Sequence, residues 1–155
     1  MMDATVERAT MPIRITAGVV GVLYLLLGIA GFIPGITTEF GRLEWAGDGS
    51  MAMVFGLFQT SVLHNAVQLL FGVVGIVSAI YPRLARWYLF WGGVVQVIIW
   101  VFGLYAADQP RADFLPIDDA GVWLHFGMAA VMILLGLFVG RDWSRRSVGS
   151  RRVDD

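Results

Sequence analysis

The strongest constraint on the fold is a set of four apolar segments, each about twenty residues long. The second of them, residues 62–81 (VLHNAVQLLFGVVGIVSAIY), follows an aromatic, glycine-spaced stretch and stops at Pro82. A run of this length crosses the ~30 Å hydrocarbon core of a bilayer as a helix. The chain is 57% hydrophobic and 15% charged, and its hydrophobic residues occur in blocks. This is too little charge to cover a soluble surface, so we expect an integral membrane protein.

The predicted fold is an all-α membrane protein, an up-down bundle of four transmembrane helices. Its spans are predicted at about residues 15–33, 62–81, 87–107 and 120–140. The connection 35–59 is predicted to be an ordered or interfacial loop, because a helix from Met51 to Tyr81 would overshoot the bilayer. We expect Thr60 or Ser61 to cap the helix that follows.

The length predicts one transmembrane domain, residues 1–140, followed by a disordered tail at 141–155. Residues 1–14 are predicted to be a short flexible lead, and PRLAR after Tyr81 a tight turn.

Arginine placement predicts the orientation. All eleven basic residues are arginine. Nine lie in segments that an up-down bundle puts on one side of the membrane, namely Arg8, Arg14, Arg83, Arg86, Arg141, Arg145, Arg146, Arg151 and Arg152. Only Arg42 and Arg111 lie on the other side. Because basic residues favour the cytoplasmic side, both termini are predicted to be cytoplasmic, in a bacterial inner membrane.

The chain has no cysteine, which excludes disulfides and thiolate chemistry.

Small residues mark packing faces on the helices. Five residues fall in one sector of the first helix at 100° per residue: Ala17, Gly21, Tyr24, Gly28 and Gly31. Such a face lets a neighbouring helix approach closely.

The candidate site is a cluster of polar side chains within the spans. His64, Asn65 and Gln68 share one face of the second helix. Gln96 on the third helix and His125 on the fourth lie at similar depth. Lipid would leave these groups unsatisfied, so we predict that all five converge inside the bundle.

Three interpretations of this cluster stay open. Polar groups in membrane bundles commonly do no more than bond across helices. Ionisable groups inside the membrane also mark sites for a ligand, an ion or a proton. The sharpest version is haem or metal ligation by His64 and His125, although two histidines alone do not make a metal site. We predict no cofactor, with a haem or a quinone as the alternative.

Two segments, FGLFQTSVLHNAVQLLFGVVGI and LPIDDAGVWLHFGMAAVMILLGL, resemble the signatures of a domain-of-unknown-function family. Its members are small four-span membrane proteins, common in actinobacteria. The family pattern has a His-Asn pair in the second helix and a Leu-His pair in the fourth, matched here by His64-Asn65 and Leu124-His125. Gln68 stands where a further histidine is usual, and Gly121-Val122 where an Asp-Asn pair is usual. The resemblance implies the fold but no activity.

The predicted function is non-catalytic, because no nucleophile triad, phosphate loop or carboxylate pair lies within the spans. We expect an accessory or scaffolding subunit, either self-associated or docked with other membrane subunits, with the lipid bilayer and no nucleic acid as partner. The alternative is a binding or redox module that holds a quinone, haem or lipid near His64 and His125. A transporter is less favoured, since no span is broken midway.

Overall fold

The computed structural model describes residues 4–47, 49–106, 116 and 118–139. Four helices account for most of them: α1 (Ala4–Ala30), α2 (Val62–Ser78), α3 (Pro82–Ala106) and α4 (Asp119–Phe138). The connection between α1 and α2 contains a one-turn 3-10 helix, Phe40–Arg42, and three two-residue strands. The strands are β1 (Thr37–Thr38), β2 (Met53–Val54) and β3 (Phe58–Gln59).

Successive helices run in opposite directions. Near the start of α2, Asn65 lies against Gly31, just past the end of α1. Past the other end of α2, the carbonyl of Ala79 accepts a hydrogen bond of 2.8 Å from Arg14 Nε of α1. In the other half, Arg86 near the start of α3 donates to the carbonyl of Val139, just past α4, at 3.1 Å. Two arginines therefore satisfy the free carbonyls at the ends of α2 and α4.

The four helices form two closely packed pairs. α1 packs along α2 and α3 along α4, whereas α2 and α3 share few contacts. A Cβ atom on Gly72 would lie 2.6 Å from the backbone nitrogen of Leu25, so α1 and α2 touch backbone to backbone. The predicted close approach at the small-residue face of α1 is confirmed, because Gly21 meets Gly72 and Gly75 there.

A buried apolar core joins the two pairs. It consists of Ile13, Ala17, Tyr24, Ala85, Tyr88, Leu89 and Met132. The ring of Phe71 from α2 lies 4.8 Å from that of Tyr24 and 5.5 Å from that of Tyr88, centroid to centroid. These contacts fix the depth at which the side chain of Tyr24 lies inside the bundle.

The structure is mostly helical, as predicted, and adds three short strands in the connection that was predicted to be an ordered or interfacial loop. β1, β2 and β3 form a small antiparallel sheet in that order, with Val54 paired to both Thr37 and Phe58. Phe55 and Gly56 turn the chain between β2 and β3 with φ of 55° and 66°, the positive values of a type I′ turn. Such turns favour Asn-Gly or Asp-Gly, so Phe-Gly gave no hairpin signal.

The helix bounds differ from the predicted spans at several ends. α1 begins at Ala4 rather than residue 15 and ends at Ala30, so much of the predicted lead is helical. α2 ends at Ser78, and α3 begins at Pro82 rather than residue 87. Proline suits the first turn of a helix because its fixed φ is already helical and no N–H is needed there. The predicted tail lies outside the described residues.

The described helices fit a multi-pass membrane protein. Three are long and apolar enough to cross a membrane: α3, α4 and residues 8–30 of α1; α2, with 17 residues, is shorter. Large apolar side chains such as Leu23, Leu70 and Ile98 lie exposed on the outer faces, as expected for contact with lipid.

Candidate functional site

Two capping side chains fix where the site helices begin. Ser61 is the N-cap of α2, as predicted for Thr60 or Ser61, and its hydroxyl accepts from the backbone nitrogen of His64 at 3.2 Å. Asp118 is the N-cap of α4 and accepts from Gly121 N at 3.0 Å and from Gln59 N of β3 at 3.3 Å. The sheet is thereby tied to α4 directly above the first turns of both helices.

These caps bring the two histidines together. The rings of His64 and His125 are stacked, with centroids 5.7 Å apart and planes inclined by 29°. His64 and Pro116 line the same small space beneath the sheet. The two histidines, which were predicted to lie at similar depth, are thus in contact at the end of the bundle that holds the sheet.

A chain of polar contacts leads inward from His125. Its Nδ1 lies 2.5 Å from Oε1 of Gln96 on α3. The side chain of Gln96 also interacts with the hydroxyl of Tyr24 on α1. The Tyr24 hydroxyl donates in turn to the sulfur of Met132 at 3.6 Å. Three helices thus contribute to one buried network, in which Gln96 is 3% and His125 is 7% exposed.

A cavity of about 210 Å³ lies beside this network, between α2 and α3. Its polar lining comes from Tyr24, His64, Gln68, Gln96 and His125, and its apolar lining from Leu63, Val67, Phe71, Val95 and Ile99. Val67 and Val95 are 46% and 42% exposed. Because these valines belong to the outer surface, the cavity opens sideways where α2 and α3 pack loosely.

A smaller space of about 30 Å³ lies on the sheet side of the same polar residues. Its lining includes Val54, Phe58 and Gln59 of the sheet region together with His64 and His125. It has room for about one water molecule. The two histidines therefore lie between a narrow space under the sheet and a wider cavity facing sideways.

Several polar atoms at the site have no hydrogen-bond partner. Among the described residues these include Nδ1 of His64 and Oε1 of Gln68, both buried and both on side chains that line the cavity. A buried polar atom without a partner costs about 1–3 kcal/mol. Such atoms at the edge of a cavity indicate a place where a further molecule completes the bonding.

Asn65 is the predicted site residue that lies apart from the others. It is 0% exposed and accepts a hydrogen bond of 2.5 Å from the hydroxyl of Thr60. It faces α1, since a Cβ on Gly31 would overlap its side chain. Asn65 thus fills the α1–α2 contact, while His64, Gln68, Gln96 and His125 line the cavity.

Tyr24 is the site residue that the polar-cluster argument did not include. Its signal was present, because it is the one hydroxyl-bearing residue in the small-residue sector of α1. A phenol on a packing face points into the bundle, where its hydroxyl needs a partner.

The side chains at the site do not form a usual metal-binding group. No group of three or more His, Asp or Glu side chains able to hold a metal ion is found among the described residues. The cavity of about 210 Å³ is also smaller than the ~300–1,000 Å³ pockets that enclose a whole drug-sized ligand.

Comparison with known proteins gives a family match. The model of the family described as "Domain of unknown function (DUF4383)" matches residues 14–138, which include both segments singled out in the sequence. Comparisons with curated proteins and with solved structures found no match.

Proposed function

The chain belongs to the DUF4383 family, and we propose that it is a non-catalytic, four-span membrane protein that binds a lipid-soluble molecule by its polar head. The head group occupies the cavity between α2 and α3. The observation that carries this proposal is a pair of buried atoms, His64 Nδ1 and Gln68 Oε1, on the wall of a cavity open to the side; neither atom has a hydrogen-bond partner among the residues that the structure describes.

The packing of α2 against α1 supports four spans rather than three. With 17 residues, α2 is about 25 Å long at ~1.5 Å per residue, slightly short of the ~30 Å core. Its ends nevertheless lie beside Arg14 of α1 and Gly31 just past α1, and these two residues bound an apolar, span-length segment. A helix lying antiparallel along that segment crosses the same thickness of bilayer.

Arginine placement supports cytoplasmic termini in a bacterial inner membrane. Arg14 and Arg86 lie at the end of the bundle that holds the α2–α3 connection. The sheet and both histidines lie at the opposite end, which carries Arg42 alone among the described arginines. The positive-inside rule then puts the site in the outer half of the membrane.

The size and opening of the cavity favour a membrane-borne ligand. About 210 Å³ suits the head of an amphiphile but not a whole one. An apolar tail would leave between the exposed Val67 and Val95 and lie in the bilayer. A quinone-type ring or a lipid head group both match this description, and a molecule dissolved in the bilayer enters sideways without passing the sheet.

An accessory or scaffolding role ranks second. Its support from the sequence was the small size of the chain, the lack of a catalytic constellation within the spans, and the small-residue faces. Gly21, Gly72 and Gly75 pack α1 on α2, and Gly136 packs α4 on α3, so these faces are occupied within the chain. Association with other subunits remains a prediction, and other surfaces of the protein would have to form those contacts.

Two matched valine variants test the proposed function. Val67→Phe puts a ring at the cavity opening, while Val73→Phe adds the same ring on α2 at a position outside the cavity lining. The two valines are 46% and 49% exposed, so both variants should fold. We expect mass spectrometry of the protein purified in mild detergent to find a small amphiphile in the wild type and Val73→Phe, and little in Val67→Phe. Equal amounts in all three, or none in the wild type, would refute the proposal.

A further inference from the structure

We propose a second lipid site, in which a groove on the outer surface of the α3–α4 pair binds an anionic phospholipid by its phosphate. The site is independent of the ligand proposed between α2 and α3, because it lies at the opposite end of the bundle, beside the α2–α3 connection. The groove has a volume of about 280 Å³ and is lined by Arg86, Trp87, Phe90, Trp91, Gly136 and Leu137.

The groove begins at the level of the lipid head groups. α3 has 25 residues, so it is about 37 Å long at ~1.5 Å per residue and exceeds the ~30 Å hydrocarbon core. Arg83 and Arg86 are the second and fifth residues of α3, and therefore fall near the edge of that core, where lipid phosphates lie. Trp87 and Trp91 follow them toward the interior. The groove thus leads from the phosphate level into the acyl chains.

The walls of the groove suit an acyl chain. The rings of Trp87 and Trp91 are stacked, with centroids 6.0 Å apart, and the two side chains are 57% and 50% exposed. Leu137 lines the groove from α4, and Gly136 beside it contributes no side chain. Between residues 86 and 91 the groove follows α3 for about 7–8 Å. This length accommodates the glycerol backbone of a phospholipid and the first carbons of its chain.

Arg83 supplies a positive charge at the head of the groove. It lies four residues before Trp87, so the two side chains share one face of α3. Arg83 is exposed, and no hydrogen bond or ion pair joins it to another residue that the structure describes. The acidic side chains in the described part of the chain lie at the sheet end of the bundle, and they are Glu39, Glu44, Asp118 and Asp119. None of these carboxylates can neutralise Arg83, so its charge is available to attract an anionic lipid.

Arg86 prepares the same place for an anion. Its guanidinium donates to the carbonyl of Val139 at 3.1 Å, across the gap between α3 and α4. The last carbonyls of a helix carry a partial negative charge, which would repel a phosphate. The positive charge of Arg86 offsets this repulsion, so Arg83 can receive the phosphate. An anionic head group fits better than a zwitterionic one, because the described residues offer no carboxylate here for an ammonium group.

Two lipids with identical chains test the proposal. The protein in mild detergent is titrated with dioleoyl phosphatidylglycerol or dioleoyl phosphatidylcholine, and native mass spectrometry measures the bound lipid. We expect the wild type to bind phosphatidylglycerol about fivefold more tightly, the factor that ~1 kcal/mol from one arginine near a membrane surface supplies. Arg83→Gln should remove most of this preference. Arg42→Gln, at the sheet end, and Arg151→Gln, in the C-terminal segment, each remove one positive charge elsewhere and should retain it.

A second matched pair of variants assigns the binding to the groove. Leu137→Trp adds a large ring inside the groove, while Leu134→Trp adds the same ring on α4 at a position outside the groove lining. The two leucines are 45% and 53% exposed, so both variants should fold. We expect Leu137→Trp to weaken the binding of phosphatidylglycerol severalfold, and Leu134→Trp to leave it unchanged.

Several results would overturn the proposal. One is equal binding of the two lipids by the wild type, and another is a preference that Arg83→Gln and its controls reduce alike. Tighter binding of phosphatidylcholine would show that the indole rings hold a quaternary ammonium instead. A dimer that Leu137→Trp alone dissociates would show that a second copy of the chain covers the groove. None of these results bears on the cavity between α2 and α3, which the two valine variants test separately.

Discussion

At the scale of single residues, two glutamines in one cavity have opposite energetic roles. Gln96 accepts from His125 and interacts with Tyr24, so each of its neighbours depends on it. Gln68 Oε1 has no partner among the described residues. A polar side chain inside a membrane stabilises a bundle only when its hydrogen bonds are made. An unsatisfied polar side chain is destabilising, so its presence suggests a functional role.

We predict that Gln96→Leu lowers the free energy of unfolding by about 1–2 kcal/mol, because His125 Nδ1 loses its acceptor. Gln68→Leu should leave it unchanged or raise it, because the change removes an unsatisfied buried oxygen. Unfolding in mixed detergent micelles, followed by the loss of helical circular dichroism, measures both. Equal destabilisation by the two changes would show that Gln68 has a structural partner in the folded state.

The residue scale also shows how far the sequence predicted the site. A 100° step per residue predicts that His64 and Gln68 share one face of α2, and in the structure both line the cavity together with Gln96 and His125. It could not separate Asn65, because a helix sector wide enough to touch two neighbours does not reveal which neighbour each residue meets. Asn65 lies on the side of that sector that packs on Gly31, just past the end of α1.

At the scale of elements, glycine decides how closely the helices approach. Between α1 and α2, a Cβ on Gly72 would lie 2.6 Å from Leu25 N and 2.8 Å from Gly21 O. Both are backbone atoms, so no side chain can rotate away to make room. On α4, a Cβ on Gly127 would meet nothing within 4 Å.

We predict that Gly72→Ala costs about 1–3 kcal/mol of stability, as overpacking does. Gly127→Ala is the matched control, and should be neutral or stabilising by up to about 1 kcal/mol, because alanine favours helix more than glycine does. The same micelle unfolding assay applies. If the two variants lost similar stability, the backbone contact between α1 and α2 would not be what holds that pair together.

Element boundaries were the least predictable part of the fold, for physical reasons that differ by position. Pro82 ended the apolar pattern, yet it begins α3, since proline breaks a helix interior but suits its first turn. The hairpin of β2 and β3 was hidden because Phe55 occupies a positive-φ position that usually carries asparagine or aspartate. Apolar composition predicted the helices well, but it does not predict a turn that tertiary contacts impose.

At the scale of the whole molecule, the uneven packing gives the bundle its asymmetry. Each of the pairs α1–α2 and α3–α4 is tightly joined, and the looser α2–α3 boundary holds the cavity. The sheet covers the histidine end, while Arg14 and Arg86 secure the other end. In the proposed function, a small molecule would therefore enter from the side, between α2 and α3, rather than through either end of the bundle.

That arrangement predicts which end faces the cytoplasm. The chain has no cysteine, so single cysteines can be introduced without a background. Trp45→Cys lies in the α1–α2 connection and Tyr81→Cys in the α2–α3 connection, at side chains that are 69% and 61% exposed. In intact bacterial cells, a membrane-impermeant maleimide should label Trp45→Cys, and should label Tyr81→Cys only after permeabilisation. The reverse pattern would invert the orientation and put the histidines in the cytoplasmic half. Labelling of both in intact cells would mean that α2 does not cross the bilayer, because its two ends would then lie on one side.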